Sequence, residues 1–348
     1  MSQPARRPTL KDVAAKAGLS VMVASYTFSS PDRVSAASRA RIQAAAAELG
    51  YRPHRAARTL RTGNSGLIGV VVSEHLSYAF RDPGATQFLA GVAEVCAAAG
   101  KGMVLLPTSA HLDPAATITA ADIDGYVFWT TAPDDPTLAE AVTTGLPIAI
   151  QGGPAIEGTT CISIDDRAAA RAVSAEALHG AERPAVIAFP TDPARQPATA
   201  SLTAITAVLP VTQARLDGIR ASLKDAHLDP AQTPCLILSE NNRTRAQGAA
   251  KELMEQHPAT DAIICMSDEI ALGALTYLNQ QAFDIPEKVS LTGFDAIPEA
   301  LDRGITTIKQ DLHEQGRLAA GIALGDTPGN ASLTWELHIS GTTRQRRL

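Results

Sequence analysis

Two hydrophobic rhythms divide the 348-residue chain. Up to about residue 50 the apolar positions repeat at helical spacing. Thr9 and Asp12 form a capping pair that opens a first helix, Val13, Ala14 and Ala17 fall on one of its faces, and Gly18 ends it. Ser20 caps a second short helix, Val21 to Phe28, after a turn of only a few residues. Ser35 opens a third, in which Ile42, Ala45, Ala46 and Leu49 keep the spacing until Gly50 closes it. Helix, tight glycine turn, helix and supporting third helix make a helix-turn-helix pattern. The second helix begins on an apolar edge, Val21-Met22-Val23, which is unexpected where a base-reading surface would lie.

From Leu67 the rhythm changes to short apolar runs alternating with amphipathic helices: LIGVVV, a helix near Thr86 to Ala99, GMVLLP, DGYVFW, LPIAIQ and CISI. The alternation continues through PAVIAF, ARLDGIRASLKDA, PCLIL, RTRAQGAAKELMEQ, DAIICM, DEIALGALTYLNQQ and VSLTG. Val/Ile-rich strands alternating with helices predict parallel doubly wound sheets, and the length favours two lobes over one. The expected fold is an all-α helix-turn-helix headpiece, then an α/β core of two doubly wound lobes.

Charge sharpens this division. Residues 1–63 hold eleven Lys/Arg and three acids, a net +8, whereas the whole chain is −6, so the remainder carries −14. A basic head on an acidic body points to a polyanion-binding module joined to something that does not bind polyanions.

Other chemistry is sparse. No apolar run reaches the roughly 18 residues of a membrane helix, and the N-terminal stretch lacks the apolar middle of a secretory signal, so a soluble cytoplasmic protein is expected. Cys96, Cys161, Cys235 and Cys265 lie far apart among apolar neighbours and read as buried free thiols. The N-x-S/T triplets at Asn242 and Asn330 read as chance matches. The histidines have no metal-ligand spacing, and no G-x-S-x-G, Walker A, H-E-x-x-H or strand-linked G-x-G-x-x-G occurs, so neither metal, cofactor nor catalysis is expected.

TLKDVAAKAGLSVMVASYTFS followed by VSAASRARIQAAAAELGYRPHRAARTLRTG resembles the headpiece and hinge of the lactose-repressor (LacI/GalR-type) regulators. The resemblance implies that Val21, Met22 and Tyr26 read bases, while Thr9, Leu10, Ser20, Ser25 and Ser35 touch phosphates. Arg33 and Val34 would reach the duplex from the following loop. Hydroxyls and N–H groups at helix starts suit phosphate contacts, which fix register without reading sequence. It also implies a hinge helix in which Leu60 is a minor-groove wedge and Arg55, Arg58 and Arg61 face phosphates. His54 stands in place of the usual Asn, Val23 in place of Thr and Ser29 in place of Asn; inward packing is the alternative role for Val23.

The body segments DGYVFW, CISIDDRAAAR, RLDGIRASL, SDEIALGAL, VSLTGFDAIPEAL and TTIKQDLHEQG are similar to the sugar-sensing core of the same regulators, which is periplasmic binding protein type I-like. The resemblance implies a headpiece at 1–52, a hinge at 53–63, an N-terminal lobe from 64–163 plus 308–327, and a C-terminal lobe from 164–307 plus 328–348. Ligands of such sheets bind beyond the carboxyl ends of strands. Arg215, Asp295 and Gln310 match polar ligand contacts, Trp129 could stack on a ring, and Tyr78 and Phe80 lie in the loop after the first strand. Gln151 and Ser267 occupy positions where members carry Asp and Asn. Structural roles compete: Arg215 as an interlobe ion pair, Asp295 as a turn acceptor, Trp129 as core. Pro190 to Thr212 is longer and richer in Pro and Thr than the usual connection.

The reading that explains head, hinge and body is a ligand-responsive, sequence-specific DNA-binding regulator, acting on a pseudo-palindromic double-stranded operator as a homodimer or higher assembly. Its effector is expected to be a sugar or nucleoside, and repression is the family's commonest logic. Corepression or activation on the same fold remains open; a solute-binding protein explains only the body, and an α/β enzyme only the sheets.

Overall fold

The computed structural model describes residues 6, 8–52, 64–73, 76–108, 112–120, 122–327 and 329–345. It divides into two compact units, Met1–Ser65 and Gly66–Leu348. The expected hinge, including Pro53, His54, Arg55, Arg58, Leu60, Arg61 and Gly63, lies outside the described residues.

In the first unit α1 (Leu10–Ala17), α2 (Val21–Ser29) and α3 (Ala36–Leu49) follow the predicted spacing. Thr9 and Asp12 complete a reciprocal capping box, with the Asp12 carboxylate accepting the Thr9 N–H at 2.7 Å. Ser20 and Ser35 cap α2 and α3 by accepting the N–H groups of Val23 and Ser38. Gly18 adopts the left-handed conformation (φ 63°) in which the chain can leave α1 at once for α2. Arg41 of α3 closes the same turn, donating to the Ala17 carbonyl at 2.6 Å. Val13, Ala14, Ala17, Ala24, Ile42, Ala45 and Ala46 form the small core, with Leu10, Leu19, Phe28, Leu49 and Tyr51 packed around it.

The described residues of the second unit form two main sheets. One is parallel throughout, in the order β12 (Ala331–Leu333), β5 (Thr160–Ile164), β4 (Ile148–Gln151), β3 (Gly125–Trp129), β1 (Leu67–Val72), β2 (Gly102–Pro107). The other runs β10 (Ser290–Thr292), β9 (Ala262–Cys265), β6 (Pro184–Ala188), β8 (Pro234–Ile237), β7 (Ala198–Ser201), parallel except for β7. The chain crosses between lobes after β5, returns through β11 (Thr307–Gln310), and β11 pairs antiparallel with β13 (Trp335–His338).

One expectation is corrected. The resemblance puts residues 328–348 in the C-terminal lobe, but Ala331–Leu333 adds an edge strand to the first sheet beside β5. The Pro- and Thr-rich stretch, whose role the sequence leaves open, supplies β7, an edge strand whose ladder tolerates a flanking proline.

Helices cover both faces of each sheet, and glycines set some of the closest approaches. Gly91 in the helix Pro83–Ala98 lies against the His313 carbonyl, and Gly316 in the helix Leu312–Ala323 lies against the Phe88 carbonyl. A Cβ at either place would enter backbone, so this reciprocal pair lets helices from distant parts of the chain pack over the first sheet. All four cysteines are free and buried, as expected.

A candidate DNA-reading head and a candidate ligand cleft

On α2, Ala24 and Thr27 turn inward with Phe28 packed beside them. Val21, Met22, Ser25 and Tyr26 occupy the other side, since positions four apart stack on one face of a helix. Val21 is 43% and Met22 64% exposed, values that set them apart from the buried apolar residues of the same head. The apolar edge is therefore surface. Val23 is half-buried, and its carbonyl accepts the Thr27 hydroxyl. Thr9, Ser20, Arg33 and Ser35 are exposed, and the Arg33 guanidinium lies 5.3 Å from the Tyr26 ring centroid. Leu10 packs against the head core and Val34 is buried, so neither offers a free side chain. The Ser29 hydroxyl donates to the Ser25 carbonyl at 2.9 Å.

In the second unit a cleft lies between the lobes, at the carboxyl ends of strands from both sheets. Tyr78, Trp129, Gln151, Arg215, Asp295 and Gln310, all singled out from the sequence, line it. Phe80 does not: it is 69% exposed and lies outside the lining. Ser267 is also absent from the lining, being wholly buried as the N-cap of the helix Asp268–Gln280. Its hydroxyl donates to Asn241 Oδ1 at 2.6 Å, and Asn241 is the residue that reaches the cleft.

Arg215, 4% exposed, is fixed on every side. Its Nε donates to Asp166 at 2.8 Å, its Nη1 donates to the Met266 carbonyl, its Nη2 lies 3.9 Å from Asp295 Oδ1, and its plane rests 3.5 Å from the Phe294 ring centroid. These acids belong to its own lobe, so the interlobe ion pair considered from sequence is not what it forms. Asp295 sits at φ 114°, a strained setting for a residue with a Cβ. The buried Asp268 holds that loop, accepting the Ile297 N–H at 2.8 Å and the Thr307 hydroxyl at 2.7 Å. Trp129 has both roles weighed for it, lining the cleft while its ring packs 4.8 Å from Phe88.

Burial governs the electrostatics. It pushes the Asp295 carboxyl well above the usual range, with Arg215 pulling the other way. Burial likewise raises Asp82, against hydrogen bonds from the Ala85 N–H and Tyr78, and raises Asp268 to about 6.

Sequence reasoning missed Asp82, Asn241 and Arg195. Asp82 reads as an ordinary N-cap before Pro83, a job it also performs for Ala85 at 2.7 Å. Asn241 follows β8, where the strand-end rule could have found it. Arg195 lies inside the stretch that is longer than the family's usual connection. All three tie the lobes together: Asn241 Nδ2 donates to Asp82 Oδ2 at 2.7 Å, and Arg195 Nη2 donates to the Ser73 carbonyl at 3.1 Å. Arg81 and Glu240 add an exposed ion pair at 3.5 Å. Among the described residues no cluster of potential metal ligands occurs and no helix is long and apolar enough to cross a membrane.

A helix-turn-helix head joined to a two-lobed core, with a cleft between the lobes that carries a few convergent polar groups, defines the class of DNA-binding regulators with a ligand-binding core. Residues 9–54 match the bacterial regulatory proteins of the lacI family, and residues 179–332 match the periplasmic binding protein-like domain. An HTH-type transcriptional regulator of Mycolicibacterium smegmatis is 34% identical, covering 94% of this chain and 92% of its own. The HTH-type transcriptional repressor CytR of Escherichia coli is 30% identical, covering 97% and 96%. A LacI-family regulator from Corynebacterium glutamicum superposes with a TM-score of 0.74 at 30% identity over 97% of this chain and all of that one. A lac repressor dimer bound to operator and the anti-inducer ONPF shares the fold, with a TM-score of 0.73 at 22% identity over 97% and 99%. The chain belongs to the lacI family of bacterial regulatory proteins. It is a DNA-binding transcriptional regulator, and its relatives are not enzymes.

Proposed function

We propose that this regulator is a cytoplasmic homodimer, probing a pseudo-palindromic operator with two heads and releasing or gripping it according to a small molecule held between the lobes. The observation that carries the reading is the interlobe cleft, where polar side chains from both sheets converge beside the aromatic faces of Trp129 and Phe189. Such a surface suits a compact, hydroxyl-rich ligand with a flat face, a sugar or a nucleoside. A solved relative is described as a CelR–cellobiose complex, which supports the sugar branch.

In the head, Val21, Met22 and Tyr26 read base edges, the first two through thymine methyls. Thr9, Ser20, Ser25, Arg33 and Ser35 touch the backbone, and in the hinge Leu60 wedges into the minor groove while Arg55 and Arg58 face phosphates and His54 adds a DNA contact. Tyr78, Trp129, Gln151, Arg215, Asp295 and Gln310 hold the effector. A bound ligand shifts the lobes only by its differential affinity for their poses, and through them the pairing of the hinges. The test pairs a thermal-shift screen of sugars and nucleosides with operator binding measured at several salt concentrations, with and without each hit. A hit that stabilises the chain and changes operator affinity is expected. A hit that stabilises without changing operator affinity sinks the coupling.

A further inference from the structure

Behind the cleft wall runs a line of three carboxamides that ends on a carboxylate. Gln151 Nε2 donates to Gln315 Oε1 at 3.0 Å, Gln315 Nε2 donates to Gln310 Oε1 at 3.1 Å, and Gln310 Nε2 donates to Asp295 Oδ1 at 2.7 Å. Gln315 is wholly buried on the helix Leu312–Ala323 and does not line the cleft, whereas the other three residues do. The line joins β4 of the first sheet, through the crossover strand β11, to the loop that follows β10.

The direction of every bond in this line follows from its last member. Asp295 Oδ1 faces both Gln310 and the Arg215 guanidinium 3.9 Å away, so a proton is kept off that oxygen and it can only accept. Gln310 must then turn its NH2 toward Asp295, which leaves its Oε1 to take a donor from Gln315. Gln315 in turn has only its own oxygen left for Gln151. A carboxamide has one donor end and one acceptor end, so fixing one end of each fixes the other.

We infer that Gln315 is a positioning residue that turns the Gln151 carboxamide so that its oxygen, not its NH2, is offered to the cleft. This inference rests on the reading of the cleft as the effector site. It narrows the ligand's chemistry at the Gln151 corner, and the Asn241 carboxamide is fixed by the same logic. Ser267 accepts the Ile270 N–H as a helix cap and so gives its proton to Asn241 Oδ1, and Asn241 then spends its NH2 on Asp82. Arg215 spends its Nε on Asp166 and one Nη1 hydrogen on the Met266 carbonyl, and its Nη2 hydrogens stay available beside Asp295. At its own corner Gln151 offers the cavity an acceptor, Oε1. The matching ligand presents a donor there, a hydroxyl or an amine, and not a phosphate or carboxylate.

The test uses the full chain labelled with nitrogen-15 in glutamine side chains, the signals of Gln151, Gln310 and Gln315 being assigned by single substitutions. In the free protein all three carboxamides are expected to exchange slowly. Gln315→Met, close to Gln in volume, should speed exchange at Gln151 about five- to tenfold, while Gln310, still held by Asp295, changes less. Gln315→Glu, whose carboxyl is protonated when buried and then has the same donor and acceptor ends, should restore slow exchange at Gln151. Unchanged exchange at Gln151 in Gln315→Met, or no rescue in Gln315→Glu, overturns the inference. Titration with D-ribose, cellobiose, adenosine and ribose 5-phosphate checks the ligand side. A neutral probe that binds should weaken about fivefold in Gln315→Met, and unchanged binding there would overturn the role given to Gln151 Oε1. If none of the four binds while exchange behaves as expected, the effector reading of the cleft fails and the orientation of Gln151 stands.

Discussion

Asp268 gives a prediction whose size and sign both come from its surroundings. Its side chain is wholly buried, accepts the Ile297 N–H and the Thr307 hydroxyl, and lies so close to Gly293 that any side chain there would strike it. Burial lifts its carboxyl from 3.8 to about 6. A folded-state value above the unfolded one means that the native chain holds the proton more tightly. The stability this confers is full below about pH 4, declines as pH rises, and is gone above about pH 6. A tenfold change in proton affinity is worth ~1.4 kcal/mol, so a rise of this size is worth about 3 kcal/mol. Asp268→Asn removes the titration while keeping a shape the site accepts: its oxygen can take the Ile297 N–H, and its NH2 can donate to Thr307 once that hydroxyl rotates. Denaturant unfolding of both proteins between pH 4 and pH 8 is the assay, read as the difference between them at each pH. Wild type should lose about 3 kcal/mol relative to the variant as pH rises. A constant difference across the range, or one that grows in favour of wild type, would refute the assignment of a raised carboxyl to this residue.

Three further outcomes follow from particular contacts. Ile42→Ala empties the centre of a core built largely from alanines and should destabilise the head by ~2–5 kcal/mol, read as faster amide exchange at Ala45 and Ala46 in the full chain. Gly91→Ala forces the helix Pro83–Ala98 away from the His313 carbonyl and should cost ~1–3 kcal/mol, seen as a lower melting temperature of the core; an unchanged melt would mean that the two helices separate freely. Met22→Gln should change the base selected at one position of each half-site more than it changes overall affinity, when randomised duplexes are sorted by binding; an unaltered preference would move the reading face elsewhere.

How much of this was legible in the sequence differs between the two units. In the head nearly all of it was, because each helix carries its own start and stop: Thr9 with Asp12, Ser20 and Ser35 at the beginnings, Gly18 and Gly50 at two ends. These signals act within a few residues of where they are read, so neighbours along the chain suffice to decide them. Exposure of Val21 and Met22 was implied only by the family resemblance, and the structure gives the reason: Ala24, Thr27 and Phe28 take the inward face of α2.

The core was legible as alternation but not as assembly. Apolar runs announced most of the strands, yet nothing local says that Ala331–Leu333 should pair with Thr160–Ile164, or that β7 should close the edge of the second sheet. Those pairings are set by which hydrogen-bonding edge is open when distant segments arrive. The site divides in the same way. Arg215, Asp295, Gln310, Gln151 and Trp129 could be named because their types and positions matched a pattern, but Asp82, Asn241 and Arg195 became cleft residues only when two lobes brought them together. Ser267 was placed one bond too near the ligand, since a sequence cannot show that its hydroxyl is spent on Asn241. Helices, strands and the charge of the head depend on residues close along the chain, and for that reason they can be read from it. The direction in which each buried amide points cannot, because it follows from a donor or an acceptor as many as 164 residues away, brought within reach by the folded core alone.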